Sequence, residues 1–212
     1  MSLPSYAVKF RGFPACPCLA TWLPAYEAEL QRRGILTGPL HIYQLIGGNT
    51  SSAGTHTQGG AFDVLDLPGD QEVWVARQMG ADATWSRPPN WDGRGGIDHD
   101  HGVLRGCPHN GPAAYQIAAV DAGFNGLGLN GHGARDNGPR PLSGRTWEQG
   151  LEWARAQLQQ EDDMPYSSWP QADKDALAKD IWAAKDSDGH HRGATLYGIY
   201  QLVVAIAKKV GA

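Results

Sequence analysis

The sequence predicts an α+β protein with a small, mainly antiparallel sheet flanked by helices and a helical extension at the C-terminus. Short apolar runs typical of strands occur beside segments of helical periodicity, without the regular alternation that builds a parallel sheet. Hydrophobic residues make up 41% of the 212 residues, which is enough for a packed core. The 28 glycines predict long irregular loops.

The first predicted elements are one helix and two strands. Residues 20–33 form a helix with its buried stripe at Trp22 or Leu23, Tyr26 and Leu30. Thr21 is the expected cap, Pro24 is tolerated in the first turn and Gly34 ends the helix. The apolar runs 40–46 and 61–67 are the two strands, and a loop rich in glycine and serine joins them.

The middle of the chain continues with shorter elements. A helix capped by Asp70 is predicted up to Met79, and Pro112 opens another that Gly123 ends. Strands are predicted at 81–85 and 100–105, and further helices at 145–160, 172–185 and 196–209.

A composition change near residue 162 predicts two parts. Residues 1–162 form the first domain, and residues 163–212 form the helical extension. The apolar faces of the extension have three interpretations: packing on the first domain, self-association with a second copy, or targeting of a cell wall.

Charge and hydropathy exclude several classes of partner. The net charge of -4 and the pI near 6.0 argue against electrostatic binding to nucleic acid or to an anionic membrane. No stretch reaches the roughly 18 apolar residues of a membrane span. The N-terminus lacks the pattern of a signal peptide, so we expect a protein made in the cytoplasm and released by another protein if it acts outside.

The three cysteines, Cys16, Cys18 and Cys107, do not suggest a disulfide framework, because their number is odd. One residue separates Cys16 from Cys18, whereas common zinc motifs have two, so buried unreactive thiols are the favoured interpretation. A second zinc site through Cys107 and His109 is the alternative to a simple turn after the strand at 100–105.

Four polar residues carry the chemistry of the predicted first domain. His56 lies in the glycine-rich loop, and Asp63 follows seven residues later inside an apolar strand, where an unpaired charge is costly. His99 and His101 are two residues apart, so on a strand they point to the same face. His56, Asp63 and one of the two histidines would supply the three protein ligands of a hydrolytic zinc site.

The sequence around these residues resembles a known family. Segment 54–63, GTHTQGGAFD, is similar to the SxHxxGxAxD motif of the M15-type D-Ala-D-Ala peptidases, although Gly54 stands where that family has serine. Asp98-x-x-His101 matches the family's second motif, and His99-Asp100-His101 matches the HxH of related lysostaphin and hedgehog-like folds. Over about residues 18–142 the chain also resembles actinobacterial and actinophage M15-like proteins, which share a TWxR, HxHGV and NGL order.

The resemblance implies a hedgehog or D-Ala-D-Ala peptidase-like fold with Zn²⁺ held by His56, Asp63 and His101. It implies Asp98 as general base, with His99 polarising water or stabilising the oxyanion. The family's usual arginine before the first ligand is missing, and Gln44 or Asn49 stands nearby instead. This leaves open whether the chain is a carboxypeptidase or an endopeptidase.

Arg87 is a substitute for that missing arginine. Its guanidinium can bind a carboxylate through two hydrogen bonds. The alternative is an ordinary surface arginine beside Pro88.

The implied function is hydrolysis of stem or cross-link peptides in bacterial peptidoglycan. A phage endolysin that accumulates in the host cytoplasm until its release to the cell wall is the first expectation, and a virion-associated lysin is the second. The competing hypothesis is a non-catalytic zinc module that binds cell walls or forms part of a virion.

Overall fold

A computed structural model describes residues 3–47, 54–65, 67, 69–90, 96–126 and 133–162 of the chain. The chain divides into two compact units, Met1–Ala156 and Gln157–Ala212. Asn49 and the predicted helical extension 163–212, with its self-association, lie outside the described residues.

The described residues form six strands and four α-helices. The strands are β1 (Val8–Phe10), β2 (Phe13–Ala15), β3 (His41–Gln44), β4 (Ala61–Leu65), β5 (Ala83–Arg87) and β6 (His99–Val103). The helices are α1 (Pro17–Arg32), α2 (Asp70–Gln78), α3 (Ala114–Asp121) and α4 (Trp147–Asp162), and a 3₁₀ turn at Gly111–Ala113 leads into α3.

The main sheet has the strand order β3-β4-β6-β5, and every neighbouring pair is antiparallel. Strands β1 and β2 form a separate hairpin. These helices and antiparallel sheets confirm the predicted α+β class. Because β6 lies between β4 and β5, its side chains face those of both neighbours, with His101 opposite Asp63 on one side and opposite Trp85 on the other.

One face of the main sheet packs against α1 and α2. The ring of Phe62 in β4 lies 5.2 Å from that of Trp22, which stacks on Tyr26 at 4.7 Å, and all three side chains are fully buried. Gly102 makes this packing feasible, since a Cβ there would lie 2.3 Å from Phe62 Cζ. This layer leaves the opposite face, with Asp63 and His101, for the polar site.

The N-terminal region differs most from the prediction. The hairpin of β1 and β2 was not predicted; its turn is Arg11-Gly12, where both residues have positive φ, and this pair lacks the usual Asn-Gly signal. Helix α1 begins at Pro17 and not at residue 20. Its N-cap is Cys16, whose sulfur accepts the Leu19 N–H, so Thr21 as cap was wrong.

Other boundaries shift by a few residues. The strand predicted at 81–85 runs from Ala83 to Arg87, because the side chain of Asp82 accepts backbone N–H groups of the 143–144 turn before the strand begins. Strand β6 is two residues shorter at its end than predicted, since the backbone N–H of Leu104 and that of Arg105 bind the carbonyls of Gly60 and Gly80. Gly69, not Asp70, is the N-cap of α2.

A buried ion pair fixes the segment after α3 to the sheet. Arg77 of α2 binds Asp136 through two nitrogens, at 3.0 and 3.2 Å, and neither side chain is exposed to solvent. Asp136 also accepts hydrogen bonds from Trp85 Nε1 and Arg140. Burial by itself would raise the pKa of Asp136, but these partners, Arg77 above all, lower the pKa below its usual range.

Replacing Asp136 with asparagine is therefore expected to destabilise the protein by about 3 kcal/mol, because the Arg77 charge stays buried without its counter-charge. The melting temperature should fall by roughly 6–12 °C in calorimetry. Asp121→Asn is the matched control, since Asp121 pairs with Arg105 but its side chain is 49% exposed. Equal melting temperatures for the two variants would contradict this account.

The same ion pair gives a pH dependence. The folded-state pKa of Asp136 lies below the unfolded value of about 3.9, so its stabilising contribution is complete above that pH. The contribution is lost as the pH falls through the folded-state pKa. Acid unfolding should thus be less steep in Asp136→Asn than in the unmodified protein.

The described part of the chain contains no helix with the length and hydropathy needed to cross a bilayer.

Candidate metal centre

Three side chains from separate segments meet on the face of the main sheet that is opposite α1 and α2. Asp63 in β4 and His101 in β6 are register partners, and His56 comes from the loop before β4. His56 Nε2 lies 3.3 Å from His101 Nδ1 and 3.2 Å from Asp63 Oδ1, while His101 Nδ1 lies 2.8 Å from the same oxygen. All three residues are buried, with 0 to 6% of their surface exposed.

Hydrogen bonds on the far side of each imidazole fix the atoms that face inward. His56 donates from Nδ1 to the Leu45 carbonyl at 2.8 Å, which leaves Nε2 to face the centre. His101 binds the side-chain oxygen of Gln116 through Nε2 at 2.9 Å, which leaves Nδ1 to face the centre. Metal-binding histidines are held in this way, with the second nitrogen on a carbonyl or carboxylate.

The three inward atoms suit zinc. Tetrahedral zinc with nitrogen and oxygen ligands at about 2.0–2.2 Å holds its ligand atoms about 3.3–3.5 Å apart. Two of the three separations, 3.3 and 3.2 Å, agree with this, and the 2.8 Å pair must open by about 0.5 Å. One carboxylate and two imidazoles also form a donor set that zinc hydrolases use.

The electrostatics of the centre favour an ionised carboxylate and a neutral imidazole. Burial alone would raise the pKa of Asp63, but hydrogen bonds from His101 and His56 outweigh it and hold the pKa well below its usual range. Burial lowers the pKa of His101, although Asp63 opposes this. These are the protonation states that bind a metal cation.

His99 and Asp98 occupy different environments. His99 donates from Nδ1 to the Ile97 carbonyl at 2.8 Å, and its Nε2 lies 4.0 Å from Asp63 Oδ1, so this histidine borders the centre as strand alternation predicts. Asp98 is exposed, one residue before β6 begins. It is not part of the group of ligand atoms that lie within 4.8 Å of one another.

Asp100 points to the other face of the sheet. It is buried, and burial together with the charge of Glu72 raises its pKa to about 8. The alternation of β6 thus places the Asp100 carboxyl group on one face of the sheet and its neighbours His99 and His101 on the other. Asp100 is not a ligand of the centre.

Arg87 and Gln44 are the other predicted site residues that the structure describes. Arg87 is only 4% exposed and pairs with His99 across β5 and β6, so the interpretation as a surface arginine was wrong. Burial lowers the pKa of Arg87 to about 10, while Asp63 opposes this shift. Gln44 pairs with Asp63 across β3 and β4, and its Nε2 is buried without a hydrogen-bond partner among the described residues.

The sequence did not indicate Gln116, which orients His101. Gln116 lies on α3, and its side chain is buried against the sheet. Its one signal was a glutamine among the apolar residues of a short helix. Its contact with His101 depends on how α3 packs, which periodicity does not specify.

Replacing Gln116 with leucine is expected to weaken zinc binding 10- to 100-fold, because the Nε2 proton of His101 loses its acceptor. Competition with a chromophoric chelator measures this affinity. Gln116→Glu keeps an acceptor and should bind zinc at least as tightly as the unmodified protein. Unchanged affinity in Gln116→Leu would show that this hydrogen bond does not support the metal.

Comparison with protein-family models, curated proteins and solved structures finds no match to this chain. The resemblance to the M15-type peptidases therefore rests on the sequence motifs alone.

Proposed function

We propose that the chain is a zinc-dependent peptidase that hydrolyses stem or cross-link peptides of bacterial peptidoglycan. The observation that carries the proposal is the convergence of His56 Nε2, Asp63 Oδ1 and His101 Nδ1 within 3.3 Å of one another. These residues are the ones that the resemblance to the M15-type family assigns to zinc. The proposal includes that family's fold, which agrees with a small antiparallel sheet carrying the ligands on one face.

His56, Asp63 and His101 would hold the zinc through three protein ligands, and a set of three would leave one position for a substrate or water. Bound zinc supplies a Lewis acid that acidifies water and polarises the scissile carbonyl. Asp98 then accepts a proton from the attacking water and delivers it to the amine that leaves when the C–N bond breaks. Nε2 of His99 faces Asp63, while Nδ1 donates to the Ile97 carbonyl. In the neutral ring Nε2 accepts a hydrogen bond and orients the water, and in the imidazolium it donates one and stabilises the developing oxyanion.

Two further side chains have the chemistry to bind a peptide. The guanidinium of Arg87 is buried next to the strand that carries both histidines, and it binds a carboxylate of the stem peptide. Gln44 Nε2 is a buried donor opposite Asp63 that a substrate carbonyl satisfies. Gln44 would thus make this hydrogen bond only when the peptide substrate is bound.

The test is mass spectrometry of fragments that the full-length protein releases from purified cell walls. New amino and carboxyl termini at one peptide bond, with intact glycan strands, are expected in the presence of zinc. A chelator should abolish them, and added zinc should restore them. Uncut walls, cleaved glycan, or cleavage that persists after chelation would each overturn the proposal.

The setting that fits this activity is a phage endolysin that stays in the host cytoplasm until its release to the cell wall, or else a virion-associated lysin. One observation favours a different function. Asp98 is exposed to solvent, as expected if no base were needed and the zinc site supported only binding to cell walls or a place in a virion. That alternative predicts bound zinc without any new peptide terminus.

A further inference from the structure

A second cluster of metal-binding side chains joins the start of α1 to the turn after β6. It consists of Cys16, Cys18, Cys107 and His109, whose ligand atoms all lie within 4.8 Å of one another. Each pair encloses a proline, as Cys-Pro-Cys and as Cys-Pro-His. About ninety residues of sequence separate the two pairs, so only the fold reveals the set.

The spacing of the cluster agrees with a tetrahedral ion. Zinc with sulfur ligands at about 2.3 Å and a nitrogen at about 2.0–2.1 Å holds two sulfurs about 3.8 Å apart, and a sulfur about 3.6 Å from the nitrogen. The sulfurs of Cys16 and Cys107 are 3.8 Å apart. Nδ1 of His109 lies 3.6 Å from the sulfur of Cys18 and 3.7 Å from that of Cys107.

The surroundings of the cluster suit thiolates. The three cysteines are buried and have free thiols. The sulfur of Cys16 accepts the backbone N–H of Leu19 at 3.5 Å and that of Gly60 at 3.4 Å. Such N–H donors stabilise a sulfur ligand from outside the coordination sphere. The ring of Tyr6 covers His109 at 4.1 Å between centroids.

We propose that Cys16, Cys18, Cys107 and His109 bind a second zinc ion as a closed structural site. Four protein ligands of the Cys₃His type leave no position for a substrate, in contrast to the three ligands of the first centre. Thiolate ligands favour zinc over magnesium or calcium. The thiols are buried and free, in agreement with the favoured interpretation from the sequence, and the proposal adds a shared role in binding a metal.

The second site also positions the loop that carries His56. The N–H of Gly60 binds the sulfur of Cys16, and a Cβ on Gly59 would lie 2.9 Å from Cys16 Cβ, so this loop rests directly on the cluster. Tyr6, which covers His109, also donates its hydroxyl hydrogen to the Gln58 carbonyl. A metal ion in the cluster therefore restrains the loop through Cys16 and through Tyr6, which packs on His109. This restraint does not depend on whether the first centre is catalytic.

Elemental analysis of the full-length protein is the first test. The unmodified chain should contain two zinc ions, Cys18→Ser about one and His56→Ala about one. His41→Ala changes an exposed histidine outside both clusters and should keep two. If the unmodified chain contains one zinc ion and Cys18→Ser contains none, the result supports the second site and counts against the first. If Cys18→Ser contains as much zinc as the unmodified chain, the second site is overturned. Iron in place of zinc would overturn it as well.

Cobalt replacement tests the site without relying on a cysteine variant that folds poorly. A thiolate bound to Co²⁺ gives a charge-transfer absorption in the near ultraviolet, which nitrogen and oxygen ligands do not give. Both the unmodified protein and His56→Ala should show this band when loaded with cobalt. Its absence would overturn the proposal, as would fewer than three titratable thiols in the denatured, unreduced protein, because a disulfide would then occupy two of the ligands.

Discussion

Replacing His56 with alanine is expected to lower kcat/KM for peptidoglycan hydrolysis by about 10³-fold or more, because the loss of metal binding removes several kcal/mol of transition-state stabilisation. His56 is fully buried, and its Nε2 is one of the three atoms that converge on the centre. The two remaining ligands hold zinc weakly. Release of soluble peptides from purified cell walls measures the activity, and elemental analysis of the same sample measures the zinc.

His41→Ala is the matched control for this experiment, since it removes an exposed histidine on β3 and leaves the three ligands intact. Its activity and zinc content should equal those of the unmodified protein. Circular dichroism of both variants separates loss of the metal from loss of the fold. Full activity in a folded His56→Ala would remove the basis of the proposed function.

Replacing Asp98 with asparagine is expected to lower kcat by about 10²- to 10⁴-fold, which is the usual contribution of a general base. Zinc content should not change, because Asp98 lies outside the ligand group. KM should change little, since the amide keeps the size of the side chain. Steady-state kinetics on a soluble stem peptide, with zinc measured in the same preparation, check all three expectations.

Asp70→Asn provides the control for Asp98→Asn. Asp70 is another exposed carboxylate, in the first turn of α2, and its loss should leave kcat unchanged. If Asp98→Asn is as active as this control, Asp98 is not the base. If neither the unmodified chain nor the two variants hydrolyse the peptide while all retain zinc, the non-catalytic module is the better explanation.

The candidate ligands of the first centre could be proposed from the sequence because strand alternation is a local property. His99 and His101 are two positions apart, so both face the same side of β6, and Asp63 in an apolar strand needs a partner for its charge. The motif resemblance then selects His101 as the ligand. The structure places His101 nearer than His99 to Asp63, at 2.8 Å against 4.0 Å.

What the sequence did not reveal depends on contacts between distant segments. The role of Gln116 follows from the packing of α3 on the sheet, and that of the Leu45 carbonyl from the path of the chain after β3. The Cys₃His cluster is assembled by the approach of the α1 N-terminus to the turn after β6. Neither residue spacing nor hydropathy in the sequence links Cys16 to Cys107, because helix and strand periodicities relate only residues that are close in sequence.

The arginine at position 87 shows how burial changes an interpretation. From the sequence, a loop rich in proline and glycine after Trp85 favours a surface residue as much as a substrate ligand. In the fold, Arg87 ends β5 opposite His99, where its guanidinium lies 5.0 Å from the centroid of the Trp85 ring. A buried cation beside the centre supports the role of binding a substrate carboxylate.

The measurement that tests the central claim most directly is anomalous X-ray scattering at the zinc edge from crystals of the zinc-loaded full-length protein. We predict a zinc peak about 2.0–2.2 Å from His56 Nε2, a carboxylate oxygen of Asp63 and His101 Nδ1. Absence of a peak between these atoms at saturating zinc, with Asp63 hydrogen-bonded to the two histidines, would contradict the account.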